Sequence, residues 1–505
     1  MAASTPAEAG WSRAVTPHFT IYSDQPAQQL RAYAARLETF DQAVRFARGV
    51  SDPLPGPANK LTIYAVRDFA MIERLAGQYG VGGFYIPWAG YSVAFVPLNT
   101  GAGTRLDLTS EAVFFHEYAH HLMYESLNVA LPLWLTEGFA EFFSTAKFES
   151  DGAVGLGAPA AHRAGVLLGK RFAPMPIEVM LGGTWKQLKK YQPDEVYGRG
   201  WLLTHYLIFS AARKGQLERY VGAISQGTPA LDAARLAFGN LNALDGELKD
   251  YVRSMRFPYV TVPTTKIKIG SISIEPLTVG QGEYVEVLMQ SRRGPTDEQA
   301  KRLAPRARQI ASKYPDDPAV QAWLAEAEVD AKNYNQAVIA ADRALARDPK
   351  SMDALLQKGR ALMLQARADK AAKPDWGAIQ QIFLSANRLD PEDPRALIGY
   401  YESFLEAGVA PPKSAVDGYL YAFELAPQDG TLRWGAVKEL INQGRTTEAV
   451  AAIKPLAFAP HGGASAQRAQ ELLETMSSGD LTATRNKIRE IEAPKPDTGK
   501  GGRKA

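Results

Sequence analysis

Apolar side chains recur in two rhythms along the first hundred residues. Residues 18–22 and 61–66 alternate between apolar and polar positions, the period-2 signature of a strand. Residues 26–49 instead place Leu30, Leu37, Phe40, Val44 and Ala47 on one helical face, and Pro53, Pro55 and Pro57 break the pattern afterwards. Residues 68–77 read as a short helix. Residues 84–87 and 91–97 read as a hairpin turning at Ala89-Gly90, with 91–96 a candidate edge on which an extended peptide could lie. A helix capped by Thr109 or Ser110 comes next, its apolar stripe formed by Ala112, Phe115, Ala119 and Leu122. From 132 to 257 the strand signal fades. Helices are predicted over 132–148, 162–171, 196–212, 217–226, 229–238 and 242–255. The pattern therefore predicts an α+β domain, a strand-containing part and a helical part with a cleft between them. Residues 258–276 alternate again and predict a hairpin bridging to a second domain.

Beyond that bridge the chain is helical and repetitive. Pro315, Pro349, Pro391, Pro427 and Pro460 punctuate pairs of Ala-rich amphipathic segments, at spacings near the 34 residues of a helix-turn-helix repeat. The units resemble tetratricopeptide repeats, although most consensus Trp, Gly and Tyr positions are absent and 370–375 carry an insertion. Such repeats imply an all-α solenoid and a protein partner. The resulting boundaries are a loose N-terminus over 1–15, an α+β domain over 16–257, a β-rich connector over 258–280, helical repeats over 281–480, and a disordered basic tail over 481–505.

Composition adds exclusions. A chain of 505 residues needs more than one core. The net charge of +3 is accounted for by the seven Lys and Arg between 485 and 504, so overall charge gives no support to nucleic-acid binding. No run is apolar and long enough to span a bilayer. With no cysteine, any metal must be held by His and carboxylates. The first residues lack the basic and apolar regions of a signal peptide.

The chemistry concentrates in His116-Glu117-Tyr118-Ala119-His120. Residues four apart share a helical face, so the two imidazoles make half of a tetrahedral zinc site, with Glu117 placed as a general base. Sixteen residues separate His120 from Glu137, which lies in Trp134-Leu-Thr-Glu137-Gly138-Phe139-Ala140-Glu141. The paired motifs resemble the gluzincin group of zinc peptidases, above all the aminopeptidase N-like enzymes. The resemblance implies a thermolysin-like strand subdomain beside a helical one, one Zn2+ per chain, and Glu137 as third ligand. It also implies that Tyr197, in Tyr197-Gly198-Arg199-Gly200, steadies the oxyanion, with Tyr191 as a rival. Glu141 reads either as a hydrogen-bond partner of a ligand histidine or as a surface carboxylate. His121 and His205 read as structural histidines.

One departure narrows the substrate. Where aminopeptidase N-like enzymes carry a carboxylate for the free α-amino group, residues 82–95 hold no acidic residue. The expectation is thus an endopeptidase acting on a peptide or protein, with Glu117 and Tyr197 as its catalytic residues. The alternative is a repeat-based interaction or scaffold protein. Bacterial proteins of this architecture are often exported, which points to the periplasm, with the cytoplasm as the alternative.

Overall fold

The computed structural model describes residues 10–67, 69–79, 81–98, 109–126, 131–169, 175–183, 185–188, 190–369, 373–457 and 463–492. In chain order come β1 (Ser12–Val15), β2 (Phe19–Ser23), α1 (Ala27–Arg48), β3 (Leu61–Val66), α2 (Phe69–Ala76), β4 (Phe84–Ile86) and β5 (Val93–Pro97). Then come α3 (Ser110–Ser126), α4 (Leu133–Ser144), β6 (Lys147–Phe148), β7 (Val154–Leu156), α5 (Ala164–Leu168), α6 (Ile177–Gly182), α7 (Trp185–Leu188) and α8 (Pro193–Phe209). The domain closes with α9 (Gln216–Ser225), α10 (Ala230–Phe238), α11 (Leu241–Ser254), β8 (Val260–Val262) and β9 (Ser273–Pro276).

The main sheet has the order β4-β5-β3-β2-β1-β9. Its centre, β2-β3-β5, is parallel, and β4, β1 and β9 are added antiparallel. Strand alternation divides its side chains between two cores. Ile21, Ile63, Ala65, Ala94 and Val96 face α1 and α3, joining Phe40, Phe115 and Trp134 in the larger core. Tyr22, Tyr64, Val66 and Phe95 face the other way. Their rings form a ladder across the strands, with centroids 5.2 Å apart for Tyr22–Tyr64, 5.3 Å for Tyr64–Phe95 and 4.8 Å for Phe84–Phe95. Such pairs add about 0.5–1.5 kcal/mol each beyond the burial of their area.

The ladder is covered by the repeats. Among the described residues twelve helices make six consecutive pairs. These are α12 (Val279–Arg292) with α13 (Asp297–Ala311), α14 (Pro318–Asp330) with α15 (Tyr334–Arg347), and α16 (Met352–Ala368) with α17 (Trp376–Leu389). The others are α18 (Pro394–Glu406) with α19 (Lys413–Leu425), α20 (Gly430–Asn442) with α21 (Thr446–Ala457), and α22 (Gly463–Met476) with α23 (Leu481–Glu492). This is a helical-repeat solenoid. Its period is set by capping. Pro315, Pro349, Pro391 and Pro427 each stand two residues before an N-cap, Asp317, Ser351, Asp393 or Asp429, whose side chain accepts from the first turn of the next helix. Phe383 seals one joint: a Cβ on Gly359 would come within 2.8 Å of its ring, and one on Gly399 would collide with it. Tyr284, Val285, Leu288, Trp323 and Leu324 of α12 and α14 share a core with the aromatic ladder, so the first pairs are anchored on the sheet.

Several boundaries differ from the sequence reading, each for a physical reason. The N-terminus is not loose up to residue 15, because β1 supplies both β2 and β9 with a partner; residues 1–9 lie outside the described residues. The stretch 258–280 is not a connector hairpin. Pro263 and a 3-10 turn over Thr264–Lys266 separate its strands, β8 pairs with β7 in a second sheet (β6-β7-β8), and β9 completes the main one. The strands β6 and β7, two and three residues long, were too short to show a period. The candidate edge 91–96 is interior: β4 folds back outside β5 and takes the edge itself. Finally, residues 481–492 are not a disordered tail but a helix. Asp480 accepts from Thr482 and Ala483, and Thr484 and Ile488 are buried against the solenoid. Residues 370–372 of the insertion and the tail beyond 492 lie outside the described residues.

Candidate metal centre

Helix α3 presents His116 and His120 one turn apart, on a side distinct from the stripe of Phe115, Ala119 and Leu122 that enters the core. Thr109 caps it through Ala112 N, and Glu111 in its first turn is clasped by Arg36 of α1. Helix α4 brings Glu137 against the pair. Nε2 of His116 and Nε2 of His120 lie 3.1 Å apart. Glu137 Oε2 is 3.1 Å from the first and 3.5 Å from the second. A tetrahedral ion about 2.1 Å from each ligand atom needs those atoms about 3.4 Å apart. The three residues therefore fit a divalent cation, and they do so without any sulfur ligand. His120 Nδ1 is buried without a hydrogen-bond partner.

The α4–α8 crossing fixes the next layer. A Cβ on Gly138 would strike the Gly200 carbonyl, and one on Gly200 would lie 2.5 Å from the Trp134 carbonyl. Only glycine allows this approach. It places Tyr197 of α8 beside the histidines, with ring centroids 5.7 Å apart for His116 and Tyr197. Burial raises the Tyr197 phenol, as do the charges of Glu137 and Glu117. Glu117 is half-buried beside His116 on α3. Tyr191 packs against the larger core instead.

Glu141, one turn beyond Glu137, is buried and not a surface carboxylate. Its Oε1 lies 3.3 Å from His116 Nδ1, which aims Nε2 of that ring at the cluster. His162 Nε2 and Arg163 hold Glu141 at 2.8 and 2.6 Å, and the Arg163 guanidinium lies 4.8 Å from the Tyr197 ring centroid. The sequence reading missed His162 and Arg163. Their signal is indirect: a carboxylate buried one turn after a ligand must find cationic partners somewhere. Burial disfavours charge on His116, but Glu137 and Glu141 outweigh it and raise its pKa to about 10. Burial opposes the charge of Glu141, but His116, His162 and Arg163 outweigh it and hold the carboxyl well below the usual carboxylate range.

Among the described residues, the other histidines stand elsewhere. His121 points to the sheet, 2.9 Å from the Tyr85 hydroxyl. His205 is fully buried between Pro258 O and Tyr251 OH, and burial lowers its pKa to about 4. His18 forms a separate buried group with Glu38 and Asp41, and the exposed Asp52 reaches its Nε2.

No family model matches the sequence, and no curated protein matches it. Among solved structures the chain is similar to a thermophilic TPR protein of Thermus thermophilus, at 19% identity and a TM-score of 0.32, over 38% of this chain and 98% of that one. That structure is a helical-repeat protein, and neither the family models nor the curated proteins tie the chain to a peptidase. The assignment to the gluzincin group, and the reading as a zinc-dependent endopeptidase built on it, are corrected accordingly. The physical reason is the reach of the motifs. Two short motifs on neighbouring helices dictate which side chains meet, through helical spacing and one crossing. They dictate neither a substrate cleft nor a reaction, and the strand offered as a peptide-binding edge proves to be interior.

Proposed function

We propose that this chain is a repeat-based interaction protein, in which residues 279–492 recruit a protein partner and the α+β domain serves as their platform. The observation that carries this reading is the run of six capped helical pairs, anchored at one end on the aromatic ladder of the sheet. A solenoid of this kind exposes far more surface than its one-dimensional core requires, and such surfaces suit partner binding. Large apolar side chains left exposed on the fourth pair, Leu405 and Tyr421 with Val409 just after α18, are of the type that interfaces bury.

The test is cross-linking of the full chain in the cells that make it, with each link located by mass spectrometry. A reproducible partner linked to residues 279–492 supports the proposal. Links confined to residues 10–276 would overturn it.

A second element of the proposal concerns the platform. His116, His120 and Glu137 would hold one zinc ion, and Glu141 would orient His116 toward it. Two imidazoles and a carboxylate at these separations suit zinc. An ion held there joins α3 to α4 and would stiffen the helical half of the domain on which the repeats depend.

A further inference from the structure

The turn between β4 and β5 does not project into solvent. It is seated on the repeat domain, and the contacts are specific. Trp88 Nε1 donates to Arg292 O at 3.0 Å, and Gln428 Nε2 donates to Ser92 Oγ at 3.2 Å. Ala89 N donates to Asp429 Oδ2 at 2.8 Å, while Oδ1 of the same carboxylate caps α20 through Thr431 N and Leu432 N. Ala89 packs against the apolar cluster of the fourth and fifth pairs that contains Tyr401, Tyr419 and Leu432. Tyr91 is held between two guanidiniums, 4.1 Å from Arg395 and 5.0 Å from Arg292. Asp353 bridges both arginines, at 3.0 and 3.3 Å, and so fixes their spacing. Residues from α12, α16, α18 and α20 thus converge on four residues of another domain.

That convergence has the parts of a peptide-recognition site: a carboxylate for a backbone N–H, an apolar notch for a methyl group, and an arginine clamp for an aromatic ring. The resident segment is not relaxed in it. Gly90 and Tyr91 have φ of 69° and 61°, and for tyrosine this left-handed conformation is strained. A segment presenting its tyrosine from an extended backbone would avoid that strain.

We propose that the seat formed by Arg292, Asp353, Arg395 and Asp429 is a peptide-binding surface of the repeats, in addition to the exposed apolar side chains of the fourth pair. It takes a peptide segment that presents a small residue and an aromatic ring, and residues 88–91 are its built-in occupant, which a partner displaces. This deepens the interaction reading above. The two fail separately, because cross-links can map to the repeats without involving this seat.

The test uses the full chain. A variant with Trp88→Gly and Tyr91→Gly empties the seat, and a fluorescein-labelled synthetic peptide of residues 86–93 serves as probe, followed by fluorescence anisotropy. An occupied seat lowers apparent affinity by the fraction of time it is open, so the variant should bind the peptide at least about tenfold more tightly than the wild type. Adding Asp429→Asn, which preserves a capping residue for α20, should cost about tenfold in the variant background. A peptide with alanine in place of its tyrosine should not bind. The proposal is overturned if the variant keeps its helical circular dichroism and cooperative melting yet fails to bind, if wild type and variant bind alike, or if the alanine peptide binds as well as the parent.

Discussion

Gly138 and Gly200 meet backbone to backbone where α4 crosses α8, and that one contact sets how far Tyr197 stands from the histidines of α3. A methyl group at Gly200 has no room beside the Trp134 carbonyl. Gly200→Ala should therefore lower stability by about 1–3 kcal/mol, the usual cost of overpacking. Gly222→Ala and Gly246→Ala, on helices where an added Cβ meets nothing within 4 Å, should instead raise it by about 0.5–1 kcal/mol. Urea titrations of the three variants decide this. Equal effects would mean that the crossing is loose.

The metal proposal gives graded outcomes. Elemental analysis of dialysed wild-type protein should find one zinc per chain, and His120→Ala should find almost none. Glu141→Gln should retain the site but weaken it by about 10–100-fold, since it loosens the His116 ring without removing a ligand. Wild-type affinity in that variant would show that Glu141 serves only the packing of Arg163.

A pH effect arises from His18. Burial opposes its charge, yet Glu38, Asp41 and Asp52 around it raise its pKa to about 9, with Arg45 and the Tyr118 hydroxyl also on Asp41. The folded value lies above the unfolded value of about 6.5. The stabilisation is thus complete below pH ~6.5 and is lost as pH rises through about 9, by no more than roughly 3 kcal/mol. In zinc-free protein His116 contributes in the same sense. The diagnostic is therefore the difference between wild type and His18→Gln. Melting temperatures of the two should converge between pH 7 and 10. Parallel curves would refute the assignment.

How much of this was legible in the sequence depends on range. The repeats were readable because four of the six pairs are announced locally, by a proline two residues before a capping Asp or Ser. The pairing of His116 with His120 needs only one helical turn. What failed was long-range. Strand β9 alternates as any strand does, and nothing local says that it will pair with β1, more than 250 residues earlier. The place of β5 inside the sheet depends on β4 folding outside it. The contacts of His162 and Arg163 with Glu141 arise from a loop crossing that no period encodes. The peptidase assignment failed for a related reason, since motif spacing reports ligands and not reactions.

Within the solenoid, Phe383 is the side chain on which one joint turns. It is buried between Gly359 and Gly399, so Phe383→Ala should cost about 3–5 kcal/mol. Because repeat stability is shared between neighbours, hydrogen exchange should accelerate first in α16–α18. Uniform acceleration over the whole chain would mean that the solenoid and platform unfold as one unit.

The most direct measurement of the central claim uses the partner located by cross-linking. Its affinity for the wild type should be compared by calorimetry with that for two variants, one carrying Leu405→Asp, Val409→Asp and Tyr421→Asp on the fourth pair, the other His116→Ala and His120→Ala. An interaction carried by the repeats predicts that the first variant loses at least about tenfold in affinity while the second, if still folded, loses little. Loss of binding in the histidine variant alone, with the repeat variant unaffected, would contradict it.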